Sequence, residues 1–278
     1  MMGITAQDIN KLRQLTGAGM MDCKKALTEA QGDIDKAIEL LRKKGQKIAA
    51  ARAGMDTTEG LALAEVNKTS DYGAIIALSC ETDFVAKNET FRKIAQHILA
   101  TALSQCPTDL EALRQLDING LTVQEYITEI VGKMGENITL TAYETLDSEV
   151  VVSYIHTGNK LAVLVGLEGA RGEQVITAGK DVAMQIAALN PIAVDKDDVA
   201  PAVVEQELSI AREQSSREAK NPAMLENIAQ GRLNKFFKEY TLVNQPFVKD
   251  NSLTVAQYLA KVAPGLKVKA FKRVLVGA

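Results

Sequence analysis

Ser79-Cys80-Glu81-Thr82-Asp83-Phe84-Val85-Ala86-Lys87-Asn88 lies between two segments of different periodicity. Before it, Gly73-Ala74-Ile75-Ile76-Ala77-Leu78 is an apolar run whose β-branched content and bounding residues suit a buried strand. After it, the apolar residues Phe91, Ile94, Ile98 and Leu99 fall on one face of a helix. Thr82-Asp83-Phe84 is therefore expected where a strand hands over to a helix, with side chains directed beyond the sheet edge. An acid beside an aromatic at such a corner has two readings. In one, Asp83 caps the helix and Phe84 closes the core. In the other, the two side chains form a wedge offered to another protein. Spacing alone favours the first, because capping by Asp is so common.

Working outward, Gly60 to Val66 has strand character and Asn67 to Tyr72 is a polar turn, so a strand pair precedes the corner and a helix over 91–104 follows it. The same plan recurs. Glu149 to Ile155 reads as a strand, His156-Thr157-Gly158-Asn159 as a turn, Lys160 to Leu167 as a strand and Asp181 to Leu189 as a helix. The offset of about 87 residues is too long for a solenoid and points to a duplicated subdomain. The second copy carries Glu168-Gly169-Ala170-Arg171-Gly172 where the first has Glu81-Thr82-Asp83-Phe84-Val85, so the acid and aromatic are peculiar to the first. Between the copies, Leu121 to Met134 has helical periodicity, Gly135-Glu136-Asn137 ends it, and Ile138 to Tyr143 is a strand.

Residues 1 to 54 read as a small helical module. Thr5 can cap a helix containing Ile9, Leu12 and Leu15, which Thr16-Gly17-Ala18-Gly19 breaks. A second helix begins at Met20-Met21, and after Gln31-Gly32-Asp33 a third carries Ile34, Ala37, Ile38 and Leu41. This spacing resembles the ubiquitin-associated domain, a three-helix protein-binding module. Met20 and Met21 are open to two readings, as fillers of a small core or as a pliable partner surface. The basic, Ala-rich Lys43 to Arg52 is a helical tail or linker ending at Ala53-Gly54.

After the second copy, helices over Val199–Ala219 and Met224–Tyr240 are separated by Asn221-Pro222, where proline permits a helix start and enforces a hairpin. Leu225, Ile228, Leu233, Phe236 and Phe237 supply its packing surface, and Arg212 to Lys220 is a polar tip. Phe247 to Lys249, a helix over Val255–Lys261 and a strand over Leu266–Val276 complete the second subdomain.

A net charge of -3 gives no basic field for nucleic-acid phosphates, and 4% aromatic content without Trp argues against base-stacking platforms. No direct nucleic-acid contact is expected. Cys23, Cys80 and Cys106 are odd in number and far apart, and so read as reduced, buried thiols. With His97 and His156 the only histidines, a metal centre has little to be built from. No apolar run approaches the ~20 residues that span a bilayer, and the N-terminus carries no signal core, so a cytoplasmic protein without membrane contact is expected. Gly166-Leu-Glu-Gly169-Ala-Arg-Gly172 is spaced GxxGxxG rather than GxGxxG, and neither GxxxxGK[ST] nor GxSxG occurs. No enzyme, no cofactor and no catalytic residue is expected.

Two motifs carry a family resemblance. Leu12-Arg13-Gln14-Leu15-Thr16-Gly17-Ala18-Gly19-Met20-Met21-Asp22-Cys23-Lys24-Lys25-Ala26-Leu27 and Thr82-Asp83-Phe84-Val85-Ala86-Lys87-Asn88 resemble the elongation factor Ts family, whose members are guanine nucleotide exchange factors for elongation factor Tu. Gly231-Arg232 and Gln245-Pro246-Phe247-Val248 extend the resemblance across the chain. Family members commonly carry Ile where Met134 stands, and many continue into a C-terminal helical module beyond the position of Ala278.

The resemblance implies an α+β fold: a ubiquitin-associated-like module over 1–54, core subdomain 1 over 55–143, core subdomain 2 over 144–196 and 241–278, and an inserted helical hairpin, the family's dimerisation domain, over 197–240. It implies that Asp83 and Phe84, flanked by Thr82 and Val85, enter the GTPase and disturb its magnesium and phosphate site. It sets Arg13, Met20, Met21 and Lys24 against the GTPase domain, Met134 and Gly135 near that interface, and His156 against a different domain of the same partner. The polar hairpin tip has little apolar area to hold a second copy, so the free protein is expected to be largely monomeric, with any dimer weak. A ubiquitin-like or nascent-chain binding adaptor without exchange activity is the competing reading.

Overall fold

The computed structural model describes residues 4–216 and 221–277. Met1 to Gly3 of the expected N-terminal segment, residues 217–220 of the expected polar tip and Ala278 lie outside them. The chain divides into two compact units. The first holds the chain up to Leu63, Ile76–Tyr143 and the end from Leu275; the second holds Ala64–Ile75 and Glu144–Val274.

In the first unit, α1 (Ala6–Thr16) starts where Thr5 and Asp8 bond each other reciprocally: Thr5 N donates to Asp8 Oδ2 at 3.0 Å and Asp8 N to Thr5 Oγ1 at 3.2 Å. It stops at Gly17, whose φ of 67° an L side chain would resist. Then come α2 (Met20–Glu29) and α3 (Ile34–Arg52), which Asp33 caps and which runs unbroken through the basic, Ala-rich segment. Leu12, Cys23, Leu27 and Ala37 form the interior of this bundle. Each fully buried leucine contributes about 1.5–3 kcal/mol. Leu15, expected beside Ile9 and Leu12 on the apolar stripe, is instead 61% exposed. One turn beyond Leu12, it lines an open cleft of about 470 Å³ with Leu41 and Thr128.

The chain then forms β1 (Glu59–Val66), β2 (Tyr72–Cys80), the short α4 (Asp83–Ala86) and α5 (Glu89–Gln105). α5 buries Phe91, Ile94, Ile98 and Leu99. The helix α6 (Leu110–Gln115), capped by Asp109, and the two-residue strands β3 (Asp117–Ile118) and β4 (Leu121–Thr122) were not expected. The helix expected from Leu121 accordingly begins as α7 (Val123–Met134), because Thr122 and Glu125 make a reciprocal cap that fixes its start. β5 (Ile138–Asp147) completes a three-stranded sheet of order β1-β2-β5. Cys106, expected to be buried, is exposed: it is the left-handed C-cap of α5, with φ 48°. α3 and α7 meet at two glycines, for a Cβ added to Gly132 would lie 2.4 Å from Gly45 Cα. An Arg42 Nε to Glu129 Oε1 ion pair at 3.0 Å flanks that crossing.

In the second unit, β6 (Val150–Ile155) and β7 (Leu161–Glu168) pair antiparallel from Val150↔Leu167 to Ile155↔Ala162. α8 (Glu173–Leu189) follows. It starts at Glu173 rather than at the expected Asp181; Gly172 supplies no side-chain cap, so the sequence carries no start signal there. The hairpin is α9 (Pro201–Ser215) and α10 (Pro222–Tyr240), each opened by proline. Asn221 Oδ1 accepts from Met224 N at 2.8 Å, and Glu226 joins the two helices by accepting from Arg212 Nε and Nη2 at 2.9 and 2.8 Å. Ala229 and Leu233 are buried in the hairpin, while Phe236 stacks on the exposed Tyr240 with ring centroids 4.9 Å apart. Strands β8 (Pro246–Phe247) and β9 (Asp250–Thr254), α11 (Val255–Val262) and β10 (Lys267–Leu275) complete the described chain. The second sheet has order β10-β7-β6. Both sheets thus set a late strand beside the second strand of an earlier pair, as a duplicated α+β plan requires.

Candidate partner-binding site

The corner after β2 is built on Thr82. Thr82, not Asp83, caps α4: its backbone is extended (φ -123°) and its Oγ1 accepts from Val85 N at 3.5 Å. Asp83 is the first helical residue, a position where a carboxylate also favours the helix start. Its Oδ2 accepts from Lys87 Nζ at 2.6 Å, and that hydrogen bond holds the carboxyl below its ordinary range. Phe84 does not close the core. Ala86 takes the inward position of this four-residue helix, and Phe84, two residues before it, is 83% exposed. The interior is closed instead by Phe91, which is fully buried.

Three hydrogen bonds hold the corner against the loop that precedes β5, and a fourth ties it to α3. Glu136 accepts twice from Thr82, from Oγ1 at 2.6 Å and from the backbone N at 3.0 Å. Glu81 accepts from Asn137 N at 2.5 Å and from Arg52 Nη1 at 2.9 Å. Asn137 Nδ2 donates to Met55 O at 2.8 Å, which ties in the segment after α3. Beneath the corner, Cys80 Sγ donates to Thr82 O at 3.2 Å. Burial pushes this thiol up to about 12, and the negative charges of Glu136 and Glu59 push in the same direction. Sequence reasoning missed Glu81, Glu136, Asn137 and Arg52 as members of the site. Gly135-Glu136-Asn137 carried only a helix-stop signal there, which Gly135 fulfils with φ 77° and its N–H on Val131 O at 2.8 Å.

Met134 and Gly135, both half-buried, are brought beside the Thr82 corner by this linkage. On the helical module, Arg13 and Lys24 are exposed, as are Met20 (54%) and Met21 (63%). The core-filling reading of the two methionines fails, because Cys23, Ala26 and Leu27 occupy that interior. A Cβ on Gly17 would lie 3.7 Å from Lys133 Cδ, so the loop before α2 rests against the last turn of α7. Thr82 to Val85, Met134, Gly135 and the module's residues therefore share the first unit. His156 belongs to the second unit, in the exposed turn between β6 and β7, with Tyr154 Oη 3.0 Å from its Nδ1.

Among the described residues, no group of three or more His, Cys, Asp or Glu side chains could hold a metal ion. No described helix is long and apolar enough to cross a membrane.

Residues 81–278 match the protein family described as Elongation factor TS. Over its full length the chain is 79% identical to the Elongation factor Ts of Amoebophilus asiaticus, across 277 residues covering 100% of both. It is 50% identical to that of Cytophaga hutchinsonii across 272 residues, 98% of each chain, and 49% identical to that of Christiangramia forsetii across 275 residues, 99% of each. The chain therefore belongs to the elongation factor Ts family of translation elongation factors.

Proposed function

We propose that this translation elongation factor promotes the exchange of GDP for GTP on the GTPase elongation factor Tu, by binding it and displacing magnesium and nucleotide. Phe84 carries the reading: a large aromatic side chain, 83% exposed, held on a short helix whose cap is bonded on both sides. Covering such a ring with a partner recovers about 1.5–3 kcal/mol of apolar burial, and it would be the anchor of an interface. Asp83, kept ionised by Lys87, brings a carboxylate to the same place. A carboxylate is a hard oxygen ligand of the kind magnesium takes, so its approach competes with the phosphates for the ion.

In this reading Arg13, Met20, Met21 and Lys24 of the module over 1–54 dock on the GTPase domain, with Thr82, Val85, Met134 and Gly135 bordering the wedge. His156 meets a different domain of the same partner, so that the GTPase is held while the wedge acts. Exchange follows from reciprocal linkage, since a protein that weakens nucleotide binding is itself displaced when nucleotide returns. No covalent step and no cofactor enters, and the place of action is the cytoplasm. The free protein is proposed to be monomeric at low micromolar concentration, with any dimer weak. Release of a fluorescent GDP analogue from elongation factor Tu tests the reading: the protein should accelerate release and be recovered with the nucleotide-free GTPase, whereas release at the spontaneous rate contradicts it.

A further inference from the structure

Two loops that are distant in sequence, residues 81–82 after β2 and 136–137 before β5, exchange hydrogen bonds reciprocally. The carboxylate of Glu81 accepts from the backbone of Asn137, and the carboxylate of Glu136 accepts from the backbone of Thr82. β2 and β5 are neighbours in the first sheet, so this clasp continues their pairing past the end of the strands. It lies directly under α4.

A helix of four residues cannot orient itself, because nucleation fixes more backbone than one turn of hydrogen bonds returns. The direction of α4, and with it of Phe84, must come from outside the helix. Thr82 supplies part of that direction, beside the inward packing of Ala86. Its hydroxyl proton goes to Glu136 Oε1, which leaves the oxygen's lone pairs free for Val85 N, while its N–H goes to Glu136 Oε2. Both bonds end on one ionised group, and bonds to a charged acceptor are shorter and stronger than neutral ones. Glu81 meets Arg52, 13% exposed on the carboxylate side, so the second half of the clasp is fixed as well.

We propose that Glu136 is a positioning residue for nucleotide exchange: by gripping Thr82 at both donors it holds α4 in the orientation from which Phe84 and Asp83 engage the GTPase. The proposal rests on the exchange reading given above. Glu136 acts through Thr82 and touches neither nucleotide nor magnesium. Its loss should leave docking by the helical module in place and impair the step after docking.

The test is the release of fluorescent GDP from elongation factor Tu over a range of concentrations of full-length variants, with thermal melts of each. Glu136→Ala and Thr82→Ala should each lower the limiting release rate by roughly tenfold, the scale of a lost hydrogen bond to a charged group. The concentration giving half the limiting rate should move less, by about twofold or under, because uniform binding is retained. Thr82→Ser, which keeps the hydroxyl, should restore the limiting rate. The Thr82→Ala/Glu136→Ala double variant should be no slower than either single one, since the two residues act as one unit. An unchanged limiting rate in Glu136→Ala, or losses that multiply in the double variant, would overturn the proposal. If Glu136→Ala does not fold, the Thr82 pair decides: loss with Ala and recovery with Ser supports it, equality overturns it. Wild-type protein without any effect on release would instead sink the exchange reading, which keeps the two failures apart.

Discussion

After β2 the chain turns at Thr82 into a four-residue helix that lifts Phe84 into solvent; after β7 it turns through Gly169 and Gly172, with φ of 94° and 119°, directly into the 17-residue α8. The strand pair and the third strand are laid out alike in the two sheets, so the two corners can be compared position by position. In the second copy the corner is sealed by backbone: a Cβ on Gly169 would lie 2.2 Å from Gly265 O. In the first copy it is held open by side chains, with Glu81 and Glu136 gripping across from strand end to strand end. The corner closed by glycine backbone exposes Arg171 but carries no aromatic ring. The one closed by carboxylates leaves its next residues free to project, and it is there that an aromatic ring stands in solvent.

The largest effect should come from forcing a side chain into the sealed corner. Gly169→Val combines a positive φ with an overlap on the backbone of Gly265, and should destabilise the protein by about 3 kcal/mol or more, read as a lowered denaturant midpoint. A native-like midpoint would show that the second corner is not closed as described. Next, Gly132→Ala would push α7 from α3, because its Cβ meets Gly45 Cα at 2.4 Å. A loss of about 2 kcal/mol is expected. Since α7 ends in the Met134-Gly135-Glu136 segment, this variant should also slow nucleotide release, while Gly169→Val should alter release only through the amount of folded protein.

How much of this contrast the sequence reveals depends on the range of the interaction. The Thr5 cap, the Gly17 stop and the Asn221-Pro222 start are legible because their partners lie within a few residues. The strand-to-helix handover at residue 82 is legible from the change of periodicity, and the family resemblance points to Phe84. Local pattern nevertheless favoured Asp83 as cap and Phe84 as core, because a cap one residue earlier is equally consistent with the spacing. The clasp was invisible: Thr82 and Glu136 are joined only once β2 and β5 are neighbours, and Glu136 otherwise reads as a polar residue after a helix. The Gly45 and Gly132 crossing was hidden for the same reason. Each glycine looks like a weak point in its helix until the other is set against it.

The thiols give a smaller effect with a definite sign. Cys80 has its folded-state value raised from 9.0 to about 12, so its contribution to stability is complete below pH 9 and is lost as pH rises towards 12. The drop in melting temperature between about pH 8 and pH 11 should be smaller in Cys80→Ala than in the wild type; an equal drop would remove Cys80 from the account. At neutral pH a thiol reagent should label Cys106 rapidly and leave Cys23 and Cys80 protected. The smallest effect concerns Asp83. Its folded-state value lies below the ordinary 3.8, so the stabilisation from Lys87 is present above that pH and lost as pH falls below it. Lys87→Met should therefore lower stability at pH 7 only slightly, because the pair is exposed, and its difference from the wild type should vanish as pH falls below 3.8.

The most direct measurement compares the limiting rate of GDP release from elongation factor Tu with wild-type protein and with Phe84→Ala. Phe84 touches water rather than the core, so the variant should melt within experimental error of the wild type. Release should slow by roughly tenfold or more, the scale of a lost aromatic anchor. A folded Phe84→Ala variant that releases GDP at the wild-type rate would contradict the claim that the first corner carries the activity.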